Sequence, residues 1–69
     1  MEYVNYIELL KNTEEDYKVN AQYKIIVKDL NKGVYFRHYE KNEYFLRRFI
    51  NKAKRSKKIG VIAIIDLYK

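Results

Sequence analysis

The side chains in this sequence that are best suited to chemistry are cations concentrated in one segment. Seven of the fifteen basic residues lie between Arg47 and Lys58, with no acidic residue among them. A helix face that serves only solubility usually mixes both signs of charge in pairs four residues apart. Phosphate groups would relieve the self-repulsion of this segment. We predict a nucleic-acid-binding surface made of Arg47, Arg48, Asn51, Lys52, Lys54, Arg55, Lys57 and Lys58.

Asn51 has a special place in that set because its amide can bond either a phosphate or a base edge. The ligand is DNA or RNA, and the residues alone do not distinguish the two. The alternative explanation of the whole set is a solvated helix face that keeps a small protein soluble.

Nucleophilic and metal chemistry have little support in the sequence. The chain has no cysteine and only two glycines, and its single histidine and single serine are His38 and Ser56. Ser56 lies among lysines, with no carboxylate nearby in sequence to orient the imidazole. His38 and Glu40 share a strand face, but two ligands do not hold a metal tightly. We predict a protein that is not an enzyme and has no catalytic residues, metal or cofactor.

Tyrosines form the second group of interest, because eight of them occur in the chain. Tyr35, Arg37 and Tyr39 share one face of a predicted strand. If the opposite side chains pack under a helix, these three project outward, where they suit stacking on bases or contact with a protein. Alternatively, they are half-buried sheet residues chosen for strand propensity. With the apolar residues Ile62 and Ile64 they form our predicted partner-binding set.

Composition limits the class of protein. A chain of 69 residues is long enough for one small domain, which we assign to residues 1–69. Because it has no cysteine, neither disulfides nor a zinc cluster can stabilise it, which favours a cytoplasmic protein. No apolar run reaches the roughly 18 residues of a membrane span, and the first residues lack the charge order of a secretion signal. We therefore predict no membrane contact.

Charge is distributed unevenly along the chain, whose net charge is +6. Residues 1–16 contain five acidic residues and one lysine, whereas residues 41–58 contain eight basic residues and one glutamate. A field of this kind attracts polyanions to one end of the molecule and repels them from the other.

The elements that position these groups begin with a predicted amphipathic helix. Apolar residues recur at helical spacing between Glu2 and Lys11, namely Tyr3, Tyr6, Ile7 and Leu10. The acidic residues 13–16 have no apolar period and predict a loop. From Tyr17 to Lys28 apolar and polar residues alternate, which predicts a long strand with one wet face.

The second half of the chain predicts a hairpin, a helix and a strand. Asn31 and Gly33 suit a tight turn before a second strand at 34–39. Asn42 is a predicted N-cap for a helix over 43–58, with an apolar stripe opposite the basic residues. Residues 59–67 are rich in β-branched side chains and predict a last strand, with Ile62 and Ile64 on one face and Ile59, Val61, Ala63, Ile65 and Leu67 on the other.

The resulting order is αββαβ in an α+β fold, with a three-stranded, mainly antiparallel sheet and the basic helix on one face. A right-handed crossover places the last strand beside the first, in the order 2-1-3. This leaves the most apolar strand at an edge, with one face uncovered. Either a homodimer covers it, or the N-terminal helix does.

One resemblance bears on function. The composition rich in Lys, Asn, Ile and Tyr, and the run YKIIVKDLNKGVYFRHYEKNEYFLRRFINKAKRSKK, resemble small early proteins of bacteriophages and mobile elements from AT-rich hosts. The order helix, hairpin, helix over residues 3–58 is similar to that of some anti-CRISPR proteins. The resemblance implies a binder without catalysis that acts in the bacterial cytoplasm on a host nucleic-acid enzyme, on its nucleic acid, or on both. Acidic members of that group mimic DNA with rows of carboxylates, whereas this chain has lysines at such positions.

Two functional hypotheses follow. In the first, the protein binds nucleic acid or nucleoprotein through the basic helix. In the second, it is a phage-type inhibitor that docks on a host nucleic-acid-processing protein through Tyr35, Arg37, Tyr39 and the last strand.

Overall fold

A three-stranded antiparallel sheet forms the centre of the protein, with a long helix on one face and the N-terminal segment on the other. A computed structural model describes residues 2–68. Its elements are α1 (Ile7–Leu10), α2 (Glu14–Lys18), β1 (Tyr23–Asp29), β2 (Val34–Glu40), α3 (Glu43–Ser56) and β3 (Ile59–Asp66). The strand order is β2-β1-β3, and both pairings are antiparallel. The predicted α+β class and strand order 2-1-3 are confirmed.

The hairpin between β1 and β2 is held by its first residue. Asp29 accepts backbone hydrogen bonds on its carboxylate from Asn31 (2.9 Å) and Lys32 (3.1 Å). Its carbonyl accepts a third from the Gly33 N–H at 2.7 Å. Gly33 has φ 72°, in the left-handed region that glycine enters without steric cost. The predicted reversal is confirmed, and between Asp29 and Val34 the positive φ falls on Gly33 and not on Asn31.

Helix α3 begins at the predicted residue and ends at Ser56, two residues before the predicted end at Lys58. The Asn42 side chain accepts the Phe45 N–H at 3.2 Å and so caps the start of the helix. After Ser56 the chain turns through Lys57, which has φ 58°. The inner face of α3 packs on the sheet, and the core comprises Ile25, Val27 and Leu46 with Tyr23, Phe36, Phe49, Ile50, Ile59 and Val61 around them.

The N-terminal segment differs from the prediction of one helix over 2–11. Only Ile7–Leu10 is helical, and Tyr3 instead forms an antiparallel bridge to Tyr35 at the outer edge of β2. Within that turn the buried residue is Leu9, whereas Ile7 and Leu10 are exposed. The apolar spacing therefore did not mark the buried side of this segment.

The predicted loop at 13–16 is also wrong, as is the predicted start of the first strand. Thr13 and Asp16 form a capping box that starts α2, so Tyr17 is helical and β1 begins only at Tyr23. The face of β1 expected to be wet is covered, because Lys24 and Ile26 are fully buried. Coverage by the N-terminal segment is thus the alternative that the structure adopts for this face of the sheet.

Strand β3 contains a β-bulge. Val61 pairs with Val27 and Ala63 pairs with Ile26, so Ile62 is an extra residue in the strand. Beyond the bulge, Ile64 pairs with Ile25 and lies on the face of the sheet that α3 covers. The predicted division of β3 into two strictly alternating faces is therefore wrong, since Ile64 shares its face with Ile59 and Val61.

None of the helices formed by residues 2–68 is long and apolar enough to cross a membrane.

Candidate nucleic-acid interface

The basic residues of α3 are divided by their position around the helix. Arg48, Asn51, Lys52 and Arg55 line a groove of about 930 Å³ between α3 and the β2 side of the sheet. All four side chains are exposed. The sequence predicted these residues as one set with four others, but of the eight only these four line this groove.

Aromatic side chains form the wall of this groove. The rings of His38, on β2, and Phe49, on α3, stack with centroids 4.0 Å apart and planes 14° apart. Phe45 lies one helical turn before Phe49 and is 40% exposed. Both phenylalanines and His38 line the groove, so it combines cations with apolar ring surface.

Acidic groups near the groove are few. Glu40 lines it, with Oε2 2.6 Å from His38 Nε2. Asp16 forms ion pairs with Lys24 and Arg37, and within residues 2–68 the one ion pair of α3 joins Arg47 to Glu43 at 2.8 Å. This pair spans one helical turn at the surface, and it partly neutralises Arg47.

The remaining predicted contacts lie away from the groove lining. Lys54 is exposed on α3 outside the groove, and Lys57 and Lys58 follow the end of the helix. The guanidinium of Arg48 lies 5.7 Å from the centre of the Tyr44 ring, a cation–π distance that steadies the arginine at the rim. The cationic surface is therefore broad, with its concave part at Arg48, Lys52 and Arg55.

The expectation that Tyr35, Arg37 and Tyr39 project freely from the sheet is wrong. All three are half-buried beneath the N-terminal segment. The Tyr39 hydroxyl donates to the Asp16 carboxylate, and Arg37 lies 3.6 Å from the same group. The Tyr35 ring is 5.3 Å from that of Tyr6. These side chains bind the protein's own chain, so the predicted partner-binding set keeps only Ile62 and Ile64 on an open surface.

Asp16 is the centre of a buried polar network that the sequence did not predict. Asp16 and Lys24 are both 0% exposed and form an ion pair at 3.0 Å. Lys24 also donates to the Lys11 carbonyl, and the Thr13 N–H donates to Asp16 at 2.8 Å. One signal was available in the sequence, since Thr13 and Asp16 have the spacing of a capping box.

The network shifts the pKa values of Asp16 and Tyr39 in opposite directions. Burial opposes ionisation of Asp16, but hydrogen bonds from Tyr39, Thr13 and Lys24 outweigh it and hold the pKa of this carboxyl below its usual value. Burial, followed by the hydrogen bond to the ionised Asp16, raises the pKa of Tyr39 to about 12. Asp16 is therefore held as an anion, and its charge is balanced by Lys24 and Arg37 inside the protein.

The network also bears on the basic surface. Asp16 pairs with Lys24 and Arg37 on the sheet face opposite α3, and no α3 cation is paired with the N-terminal segment within residues 2–68. The acidic half of the chain thus leaves Arg48, Lys52 and Arg55 free to meet an external anion.

Residues 2–68 contain no group of three or more His, Asp or Glu side chains placed to hold a metal ion. A scan against protein-family models and searches of curated proteins and of solved structures found no match to the chain. The resemblance to bacteriophage and mobile-element proteins stays a prediction, and functional inference depends on the geometry alone.

Proposed function

We propose that this protein is a non-catalytic nucleic-acid-binding protein whose contact surface is the groove beside α3. One observation carries the proposal: Arg48, Lys52 and Arg55 line a single concave surface without an acidic partner in residues 2–68. The one carboxylate in the groove, Glu40, contacts His38 and forms no ion pair with these cations. Three closely placed cations of this kind favour a ligand with closely spaced phosphates. The absence of cysteine fits the reducing cytoplasm, and we place the activity there.

The ligand that fits best is a single strand rather than a duplex. Phe45 and the stacked pair of His38 and Phe49 present ring surface inside the groove. Only an unpaired base can reach such rings with its face, and base-to-ring stacking tolerates any sequence. In this arrangement the phosphates lie along Arg48, Lys52 and Arg55, and one base packs against Phe45. Asn51, also in the groove, can bond a phosphate or the edge of a base.

Fluorescence anisotropy with labelled single-stranded DNA, single-stranded RNA and duplex DNA tests the proposal. Three phosphate contacts predict a slope of about −2 for the logarithm of affinity against the logarithm of salt concentration. We expect the single strands to bind more tightly than the duplex at each salt concentration. Absence of binding at protein concentrations up to about 10⁻⁴ M, the weak limit of nonspecific association, would refute nucleic-acid binding.

Matched variants locate the surface. Arg48→Ala, Lys52→Ala and Arg55→Ala each remove one groove cation, whereas Lys54→Ala removes the same charge from the same helix outside the groove. Each groove variant should reduce the salt slope by about 0.7, and Lys54→Ala should change it less. Equal effects at all four positions would contradict a defined groove and favour a diffuse cationic field.

Phe45→Ala tests stacking separately from charge. Loss of one base-to-ring contact costs about 1–3 kcal/mol, so affinity for single strands should fall about five-fold or more while the salt slope is unchanged. Tyr68→Ala is the control, because Tyr68 is exposed but does not line the groove. An unchanged affinity in Phe45→Ala would show that no base stacks on Phe45 in the groove and that binding depends on phosphate contacts alone.

A further inference from the structure

Strand β3 is an open sheet edge of unusual composition. It occupies the edge of the sheet opposite β2, and residues 59–65 carry no charged side chain. Ile62 and Ile64 are 42% and 45% exposed along it. Soluble proteins usually guard such an edge with lysine, proline or a covering segment, because its free N–H and C=O groups can pair with another strand.

The two edges of the sheet are treated differently. The outer edge of β2 is met by Tyr3, whose N–H and C=O both bond to Tyr35. Strand β3 pairs with β1 on one side, and within residues 2–68 no segment pairs with its other side. Its bulge at Ile62 disturbs the edge but adds no charge or proline to it.

The backbone groups available on β3 can be identified from its hydrogen bonds. The Lys58 carbonyl accepts the Leu30 N–H, and the Leu67 N–H donates to the Gln22 carbonyl. Gln22 and Leu30 flank β1, so the backbone groups of Lys58 and Leu67 point toward the β1 side of the strand. Along an antiparallel strand, the backbone N–H and C=O groups of successive residues point alternately toward and away from the neighbouring strand. Before the bulge, the backbone groups of Ile59 and Val61 therefore point away from β1. After the bulge, the same alternation counted back from Leu67 directs the backbone groups of Asp66 and Ile64 away from β1.

This pattern is self-complementary. A two-fold axis perpendicular to the sheet, between Ile62 and Ala63, places Ile59 opposite Asp66 of the second copy and Val61 opposite Ile64 of the second copy. Both members of each pair lie on the α3 face of their own sheet, as the pairings with β1 show, so the faces match as well as the backbone groups. Antiparallel pairing also places Lys57 and Lys58, which precede β3 in one copy, near Asp66 at the end of β3 in the second copy.

We propose that the open edge of β3 binds the β3 edge of a second copy of this chain, forming a continuous six-stranded sheet. The interface buries Ile62 and Ile64 and satisfies the outward backbone groups. Both α3 helices then lie on the same face of the sheet. With strands about 4.8 Å apart, the two β2 strands are about 24 Å from each other, and both α3 grooves open on one side of the dimer. The inference does not depend on what the grooves bind.

Sedimentation equilibrium across a range of concentrations tests the inference. The wild-type chain should approach twice its 8.5 kDa mass and go no further, because a two-fold interface closes on itself. Ile64→Lys and Ile62→Lys should restore the single mass. Val4→Lys, which adds the same charge at a residue that is 82% exposed in the N-terminal segment, should leave the doubled mass unchanged.

Four outcomes would overturn the inference. A single mass for the wild type at every concentration would show that the edge stays open or takes a different protein strand. A doubled mass retained by both lysine variants would show that the contact lies elsewhere. Loss of the doubled mass in Val4→Lys would show that added positive charge alone separates the copies. A mass that keeps rising with concentration would exclude a closed dimer.

A covalent test does not depend on the folding of the lysine variants. The chain has no cysteine, so Ile62→Cys introduces a single thiol. In the proposed pairing this thiol lies near its symmetry mate, with Cα atoms about 6 Å apart, within the range of a disulfide. Mild oxidation should convert Ile62→Cys to a linked dimer much faster than Val4→Cys. Equal rates for the two variants would mean random collision and would overturn the pairing.

Discussion

Replacing Asp16 by asparagine should be among the most damaging single changes in this protein. The carboxylate is fully buried and lies 3.0 Å from the ammonium of Lys24, which is also fully buried. Without that anion, Lys24 has only neutral acceptors, among them the Lys11 carbonyl. Leaving a buried charge without its counter-ion costs about 3–5 kcal/mol. The total stability expected for a chain of 69 residues is about 3–10 kcal/mol, so Asp16→Asn should populate the unfolded state.

Removing the other member of the pair should cost less. After Lys24→Met, Asp16 keeps the Tyr39 hydroxyl, the Thr13 N–H and Arg37 at 3.6 Å. We expect a loss of about 2 kcal/mol, near that of one charged hydrogen bond. The asymmetry arises because the carboxylate has several donors, whereas the ammonium has two acceptors.

Urea unfolding followed by circular dichroism measures both changes. With a slope of about 1 kcal/mol per molar urea for a small chain, a cost of about 3–5 kcal/mol means that Asp16→Asn should lower the midpoint by about 3–5 M. Glu15→Gln, an exposed change in the same helix α2, should stay within about 0.5 kcal/mol of wild type. A loss below about 1 kcal/mol for Asp16→Asn, or a larger loss for Lys24→Met, would refute the assignment of Asp16 as the centre of this network.

Three further predictions follow from the same contacts and from the α3 cap. Because the folded pKa of Asp16 lies below its ordinary value of 3.8, its contribution to stability is present above pH 3.8 and is lost as the pH falls through the lowered pKa. The stability of Asp16→Asn should therefore fall less steeply with decreasing pH in this range, and a pH dependence equal to that of wild type would contradict the shift. The raised pKa of Tyr39 means that its stabilising contribution is present below pH 10 and is lost between pH 10 and about 12. In urea titrations at a series of pH values, the free energy of unfolding of Tyr39→Phe should therefore fall less steeply above pH 10 than that of wild type. An equally steep fall would contradict the prediction. Asn42→Ala should lower thermal stability by about 1 kcal/mol through loss of the bond to the Phe45 N–H, and a loss no greater than that of the mid-helix change Asn51→Ala would argue against the cap.

Local patterns were sufficient to predict the elements of the second half of the fold, but not the β-bulge in β3. Helix α3 has a capping residue, Asn42, and an apolar stripe that packs inward, and the turn at Gly33 requires the φ that glycine supplies. The strand order followed from the handedness of the crossover. In each case, the interactions that determine the structure lie within a few residues or follow from a general rule of topology.

The first half depends on contacts that no local pattern contains. Lys24 has the appearance of a solvated residue in an alternating strand, and it is buried because Asp16, eight residues earlier, folds over it. Tyr39, which bonds the same carboxylate, is 23 residues beyond Asp16. The alternation that predicted a strand from Tyr17 competes with the capping box at Thr13, and the capping box prevails.

The candidate site was predicted in part. The sequence identified the basic residues of α3, but their division into groove and outer surface depends on the angle of the helix against β2. Arg48, Lys52 and Arg55 turn toward His38 and Glu40, while Arg47 pairs with Glu43. The approach of β2 to α3 is a tertiary arrangement, so sequence spacing alone could not define the concave part.

The bulge at Ile62 makes β3 unequally tolerant of changes in length. Deleting Ile62 would remove the unpaired residue while keeping Val61 opposite Val27 and Ala63 opposite Ile26. Deleting Ile64 would instead shift every later side chain to the wrong side. The strand can therefore lose Ile62 without changing its register with β1. Because a bulge bends its strand, a chain without Ile62 would present a straighter edge to a strand that pairs with it.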